Sequence, residues 1–120
     1  MRIAAIVTTA DSGKLRDLIN VCCEAAAEGS AVRVFFRDES IPAICRPEVR
    51  GRLGIPGLPD LAPPLGELKA AGDVRLNACS SSLYIWGMGP EDLVEPLDGA
   101  RGLIAFLAED LAGADQVLSY

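Results

Sequence analysis

Apolar and polar positions along this chain fall into blocks of two periods. Ile3–Thr8 (IAAIVT) is a short continuous apolar run, the pattern of a parallel strand covered on both faces. Asp11 or Ser12 then offers a helix N-cap. Leu15, Leu18, Ile19, Cys22 and Ala26 follow at helical spacing, with Gly29 standing where a left-handed C-terminal residue is wanted. Ala31–Arg37 (AVRVFFR) predicts a second strand, so residues 1–37 read as a βαβ unit with a right-handed crossover. A short helix is expected from Ser40, with Pro42 in its first turn. After it the proline-rich stretch 46–64 predicts a long loop, too apolar for a solvated linker because Leu53, Ile55, Leu58 and Leu61 punctuate it. Leu65–Ala71 predicts a helix closed by Gly72, Val74–Ala78 a third strand, and Leu83–Met88 an apolar helix. Val94–Leu97 predicts a short strand near an edge. Asp98 is expected to cap a last helix that buries Leu103, Ile104, Leu107 and Leu111, and Gln116–Ser119 predicts the final strand. Strands alternating with helices throughout mean an α/β fold. The expected architecture is a three-layer α/β/α sandwich on a mostly parallel sheet of about five strands, in a single domain over residues 1–120.

Composition narrows the function. Half of the 120 residues are hydrophobic and twelve more are glycine, above the usual ~45–50% for that combined class. One small domain cannot hide so much apolar surface, so homo-oligomerisation is expected. The net charge is −6 and aromatic residues make up only 5%, which argues against direct nucleic-acid binding, where phosphate neutralisation and base stacking are needed. The absence of histidine removes Cys-His proteases, zinc deaminases and His-based zinc sites. No apolar run reaches the length of a membrane span, and the N-terminal apolar stretch is expected to be a strand rather than a secretory signal. Cys22, Cys23, Cys45 and Cys79 form neither a metal-type pair nor a regular disulfide framework. Reduced thiols in a cytoplasm are the expectation, with no metal and no organic cofactor.

Candidate chemistry gathers where parallel strands end. Those positions are Thr8 and Thr9 after the first strand, Arg37 and Asp38 after the second, and Cys79 after the third. Cys79 passes from strand to helix in one step, which puts the free N–H groups and hydroxyls of Ser80, Ser81 and Ser82 beside its sulfur. Lowering a thiol pKa by one unit takes about 1.4 kcal/mol in favour of the thiolate. A helix dipole supplies roughly 0.3–1 kcal/mol, and direct hydrogen bonds can add the rest. Cys79 is therefore expected to be an accessible nucleophile. Cys22 and Cys23 read as core residues of the first helix; Cys45, beside the proline-rich loop, is a possible second thiol. Tyr84 and Trp86 read either as packing residues or as the lining of a pocket around the sulfur. Thr8, Thr9 and Ser12 would serve a phosphate loop or, more simply, a helix cap and turn. Arg46, Arg50 and Arg52 make a local basic patch. A phosphatase loop fails because Ile85 stands where Cys-x5-Arg requires arginine, and no phosphate-binding glycine loop is present.

The frame VRLNACSSSLYIWGM, with MRIAAIVTTA before it and GADQVLSY at the end, resembles the DsrE/TusD family of small sulfurtransferases. The resemblance implies a five-stranded, mostly parallel sheet, trimers or hexamers, and a cytoplasmic sulfur relay. In that relay Cys79 takes sulfane sulfur as a persulfide and passes it to the thiol of a small carrier protein. The pair Ile85–Trp86 departs from the basic pair that often follows the family's active cysteine, and the 46–64 segment is idiosyncratic. Two other readings stand beside this one. The chain is a non-catalytic binding or assembly subunit of the same fold, with a small-anion or flavin pocket at the strand ends, or a thiol-redox enzyme pairing Cys45 with Cys79.

Overall fold

In the computed structural model, which describes residues 1–120, five strands form one all-parallel sheet. They are β1 (Arg2–Val7), β2 (Ala31–Phe36), β3 (Val74–Cys79), β4 (Gly99–Arg101) and β5 (Gln116–Ser119), in the order β4-β3-β2-β1-β5. The chain steps outward from β1 to β4 and then crosses back to place β5 on the far side of β1. This is the α/β architecture expected.

Side chains alternate across each strand, and the two faces of the sheet differ. Ala5 and Val7 of β1, Val32, Val34 and Phe36 of β2, and Val74, Leu76 and Ala78 of β3 point into the main core. That core is closed by α1 (Ser12–Ala27) and by α3 (Ala62–Ala71) through Leu65 and Leu68. The five positions predicted as the buried stripe of α1 are the five it buries, and Asp11 caps the helix by accepting from the Lys14 N–H at 2.9 Å. Gly29, at φ +99°, takes the left-handed turn that lets the chain drop directly into β2. The opposite face carries Ala4, Phe35, Cys79 and Phe106 as a second, smaller cluster. Its only cover is α5 (Leu103–Phe106), prolonged by one wider turn with π-helical bonding over Leu107–Leu111.

Six local expectations are corrected. The stretch 46–64 is not all loop. Pro47 occupies the first turn of α2 (Pro47–Leu53), where its missing N–H costs nothing, and Arg50 ties this helix to the Pro59 carbonyl at 2.6 Å. Prolines 63 and 64 likewise open α3, which starts three residues before the predicted boundary. The short helix predicted from Ser40 is a 3₁₀ segment, Asp38–Ile44. Val94–Leu97 forms no strand; the edge position belongs to Gly99–Arg101, whose pairing with Asn77–Cys79 depends on backbone groups and not on apolar side chains. Asp98 does not cap α5. Its carboxylate accepts the Leu76 N–H at 2.7 Å and the Lys69 ammonium at 2.6 Å, so it braces β3. In the last helix Phe106 is the buried residue, while Ile104 is 77% exposed and Leu103, Leu107 and Leu111 are half-buried.

Candidate functional site

Strand β3 runs straight into α4 (Ser80–Ile85), with Cys79 as the N-cap residue at φ −66°, ψ 120°. The helix begins earlier than the predicted Leu83 because the three serines form its first turn. Only six residues long, it has little dipole to offer, so the local donors decide the state of the sulfur. Burial raises the Cys79 pKa; the hydroxyl and N–H of Ser82 and the N–H and hydroxyl of Ser81 lower it, and the donors win. The Cys79 side chain closes no capping hydrogen bond of ordinary geometry. The donors therefore act as nearby aimed dipoles, favouring a thiolate without pinning it. Ser80 and Ser81 are otherwise exposed and Ser82 is buried.

The expectation of an accessible sulfur is overturned: Cys79 is 2% exposed. Arg75, Asn77 and Cys79 share the second face of β3, and at its upper end that face is roofed by aromatics. Phe35 and Phe106 stack there with ring centroids 4.6 Å apart, and Leu103 and Leu111 pack against the same cluster.

The other cysteines separate cleanly. Cys22 is fully buried in α1, and burial, with the neighbouring Cys23, pushes its pKa to about 12. Burial followed by Glu67 raises Cys23. Cys45, the possible second thiol, lies with the core: it is fully buried, donates to the Ile41 carbonyl at 3.2 Å, and is raised to about 11 by burial and Asp92 against the opposing Arg50. Cys79 is the one thiol shifted toward ionisation.

An open cleft of about 440 Å³ lies at the ends of β1, β2 and β3, lined by Thr8, Asp38, Glu39, Ser82, Ile85 and Trp86. Thr8, Ser82 and Trp86 were expected at a site. Thr9 is not part of the lining; its hydroxyl accepts the Asp11 N–H at 3.1 Å and shapes the turn, the simpler of its two readings. Tyr84 stands 85% exposed, outside the lining. Glu39 and Ile85 were missed. The Glu39 position follows from a 3₁₀ turn that carries no apolar period, and Ile85 reads in the sequence only as part of the apolar helix and as a departure from the family's basic pair. A second cleft, of about 460 Å³, lies on the lower part of the second sheet face among Arg2, Arg33, Arg75, Asn77, Arg101, Glu109 and Asp110. Two of its four arginines are ion-paired, Arg33 with Asp73 outside the lining at 3.1 Å and Arg101 with Glu109 and Asp110, while Arg2 and Arg75 form no salt bridge. No cluster of His, Cys, Asp and Glu is arranged to hold a metal ion, and no helix is long and apolar enough to cross a membrane.

No family model matches this chain, and no curated protein matches it. Among solved structures it is similar to the protein of unknown function MTH1491 from Methanobacterium thermoautotrophicum, at 20% identity and a TM-score of 0.77, over 99% of this chain and 98% of that one. That likeness extends the whole fold, from β1 to β5, to a second protein.

Proposed function

We propose that this chain is a sulfur-relay protein of the DsrE/TusD kind, with Cys79 as the carrier thiol. One observation carries the reading: of four cysteines, Cys79 alone has its pKa lowered, although its burial opposes this. In the reaction, the Cys79 thiolate attacks the outer sulfur of a donor persulfide R–S–SH. The S–S bond breaks, R–S⁻ leaves, and Cys79–S–SH forms with the proton still on the outer sulfur. An acceptor thiolate then attacks that outer sulfur, forms its own persulfide and releases Cys79 as thiolate. No electron is gained or lost overall, and no metal or organic cofactor enters. The Ser81 and Ser82 donors stabilise negative charge on Cys79 both before attack and at departure. Because the sulfur is 2% exposed, each attack requires the small cluster of Phe35, Phe106 and their neighbours around it to open. Tyr84 and Ile85, 85% and 81% exposed at the rim of the cleft, are the proposed contact for the thiol-bearing partner protein. Second copies of the chain are proposed to cover the sparsely roofed sheet face, and the compartment is proposed to be the cytoplasm.

The burial of Cys79 also favours a second reading, a non-catalytic binding or assembly subunit. The carboxylates of Asp38 and Glu39 in the cleft disfavour an anionic ligand there, the small anion and the flavin phosphate included. Polysulfide treatment followed by peptide mass spectrometry separates the two. The relay predicts a gain of one sulfur on the Cys79 peptide, absent in Cys79→Ser, and its loss to an added thiol. An unmodified wild-type peptide after several chemically different donors leaves the binding subunit as the reading.

A further inference from the structure

Asp38 is the only residue other than glycine with positive φ, at +53°. An L-residue at that φ has its Cβ crowded against the backbone, a cost aspartate bears more readily than most, and contacts from its surroundings help to hold it there. Two side chains of α4 do so. The Asp38 N–H donates to Ser82 Oγ at 3.1 Å, and Trp86 Nε1–H donates to the Asp38 carbonyl at 2.9 Å. The two bonds bracket the Asp38 Cα, one on the peptide before it and one on the peptide after it.

The first bond has a directional consequence. A hydroxyl that accepts an N–H at its oxygen must send its single proton elsewhere. Ser82 is the third residue of the helix that Cys79 caps, close enough for its hydroxyl to be among the donors that favour the Cys79 thiolate. Ser82 is 5% exposed at the wall of the cleft, which leaves its hydroxyl little contact with solvent. We propose that Trp86 is a positioning residue for Cys79: by tethering Asp38 in its left-handed conformation it keeps the Asp38 N–H on Ser82 Oγ and so aims the Ser82 hydroxyl proton at the sulfur. This rests on the reading of Cys79 as a working thiol. It gives Trp86 a role distinct from packing, because the indole N–H matters and the ring area does not.

The test is the pH dependence of Cys79 alkylation by iodoacetamide, followed on the Cys79 peptide, with thermal melting as the control for folding. Ser82→Ala should raise the apparent pKa of Cys79 by about one unit, a tenfold loss of thiolate at neutral pH. Trp86→Phe should raise it by about half a unit, roughly threefold, with the melting temperature less affected than the titration. Trp86 is the only tryptophan in the chain. Biosynthetic replacement with an analogue whose ring carries sulfur in place of the N–H therefore repeats the test without changing shape, should Trp86→Phe fold poorly. A profile unchanged by loss of the indole N–H, while Ser82→Ala still shifts it, overturns the proposal and leaves the thiol reading intact. A wild-type Cys79 that is not alkylated at any pH overturns both.

Discussion

The four thiols of this chain have one covalent structure and different acidities, and the difference is set by what each sulfur touches. Cys22 has apolar neighbours and a second thiol beside it, so the neutral form wins. Cys79 is also buried, but two serines present donors to it, so its balance moves toward the charged form. The consequences for stability have opposite signs. A thiol whose folded pKa is lowered contributes stability at pH above its unfolded value and loses it as pH falls through the folded value. A thiol whose folded pKa is raised contributes fully below its unfolded value and loses that contribution as pH climbs to the folded value. For Cys22 the window runs from the ordinary 9.0 up to about 12, and for Cys45 from 9.0 to about 11. Urea midpoints should therefore fall progressively as pH rises above 9.0, with Cys22 and Cys45 as sources. In Cys22→Ala the slope of midpoint against pH should be shallower than in the wild type, even though the variant is less stable at neutral pH. Equal slopes would mean that Cys22 does not resist ionisation.

Among the elements, β3 is braced from an unexpected quarter. Asp98 sits just before β4 and accepts both the Leu76 N–H and the Lys69 ammonium, stitching β3, α3 and β4 together through one carboxylate. Asp98→Ala leaves the Leu76 N–H without its partner and frees the Lys69 charge. A hydrogen bond to a charged group is worth about 1.5–3 kcal/mol, so the variant should lose about that much stability in denaturant titration. Asp98→Asn, which keeps an acceptor and drops the charge, should lose less. The same residue shows why some elements were legible and others were not. Strands β1, β2 and β3 and helix α1 are elements whose own side chains fill the core, so apolar runs and helical spacing reveal them; β5, with only Leu118 half-buried, has no such core face. The strand-to-helix step at Cys79 is legible for a related reason, since a short apolar strand followed by three serines leaves only the N-cap for the cysteine. β4 is three residues long with glycine at its start, held by backbone bonds to β3, and it leaves no side-chain signature. Helix α2 is hidden because proline marks helix starts and loops alike. The roof over Cys79 is also illegible: it is assembled from Phe35 and Phe106, which are remote in sequence and meet only when β2 and α5 are placed. The left-handed Asp38 has only a weak signature, since aspartate tolerates that region but the tertiary hydrogen bonds that hold it come from a remote helix.

At the scale of the whole molecule, an all-parallel sheet is ordinarily covered on both faces, and here the coverage is lopsided. Two helices of 16 and 10 residues close one face. The other has one α turn and one wider turn, ending in a helix that exposes Ile104 at 77%, with Val117 of the edge strand β5 at 52%. Beside them lie four arginines and three carboxylates, Arg33 and Arg101 ion-paired, rather than one sign of charge. A surface of mixed sign with apolar residues among the charges can face a rotated copy of itself, arginine meeting carboxylate, which is the requirement of an isologous contact. A standard interface takes about 800 Å² from each partner, against a chain surface of 6023 Å². The proposed assembly therefore places Ile104 in an interface, where an isoleucine contributes about 1.5–3 kcal/mol on full burial. Ile104→Glu replaces that gain with a buried, unpaired carboxylate, once for every copy in the assembly. Light scattering coupled to gel filtration should return a multiple of 12.6 kDa for the wild type and the single-chain mass for Ile104→Glu, with far-UV circular dichroism unchanged. Ile85→Glu, on the cleft rim proposed for the partner protein, should leave the assembly mass as it was while slowing sulfur transfer to that partner. A wild type that elutes as a single chain at micromolar concentration would remove the assembly, and the thin roof over Cys79 would then face solvent directly.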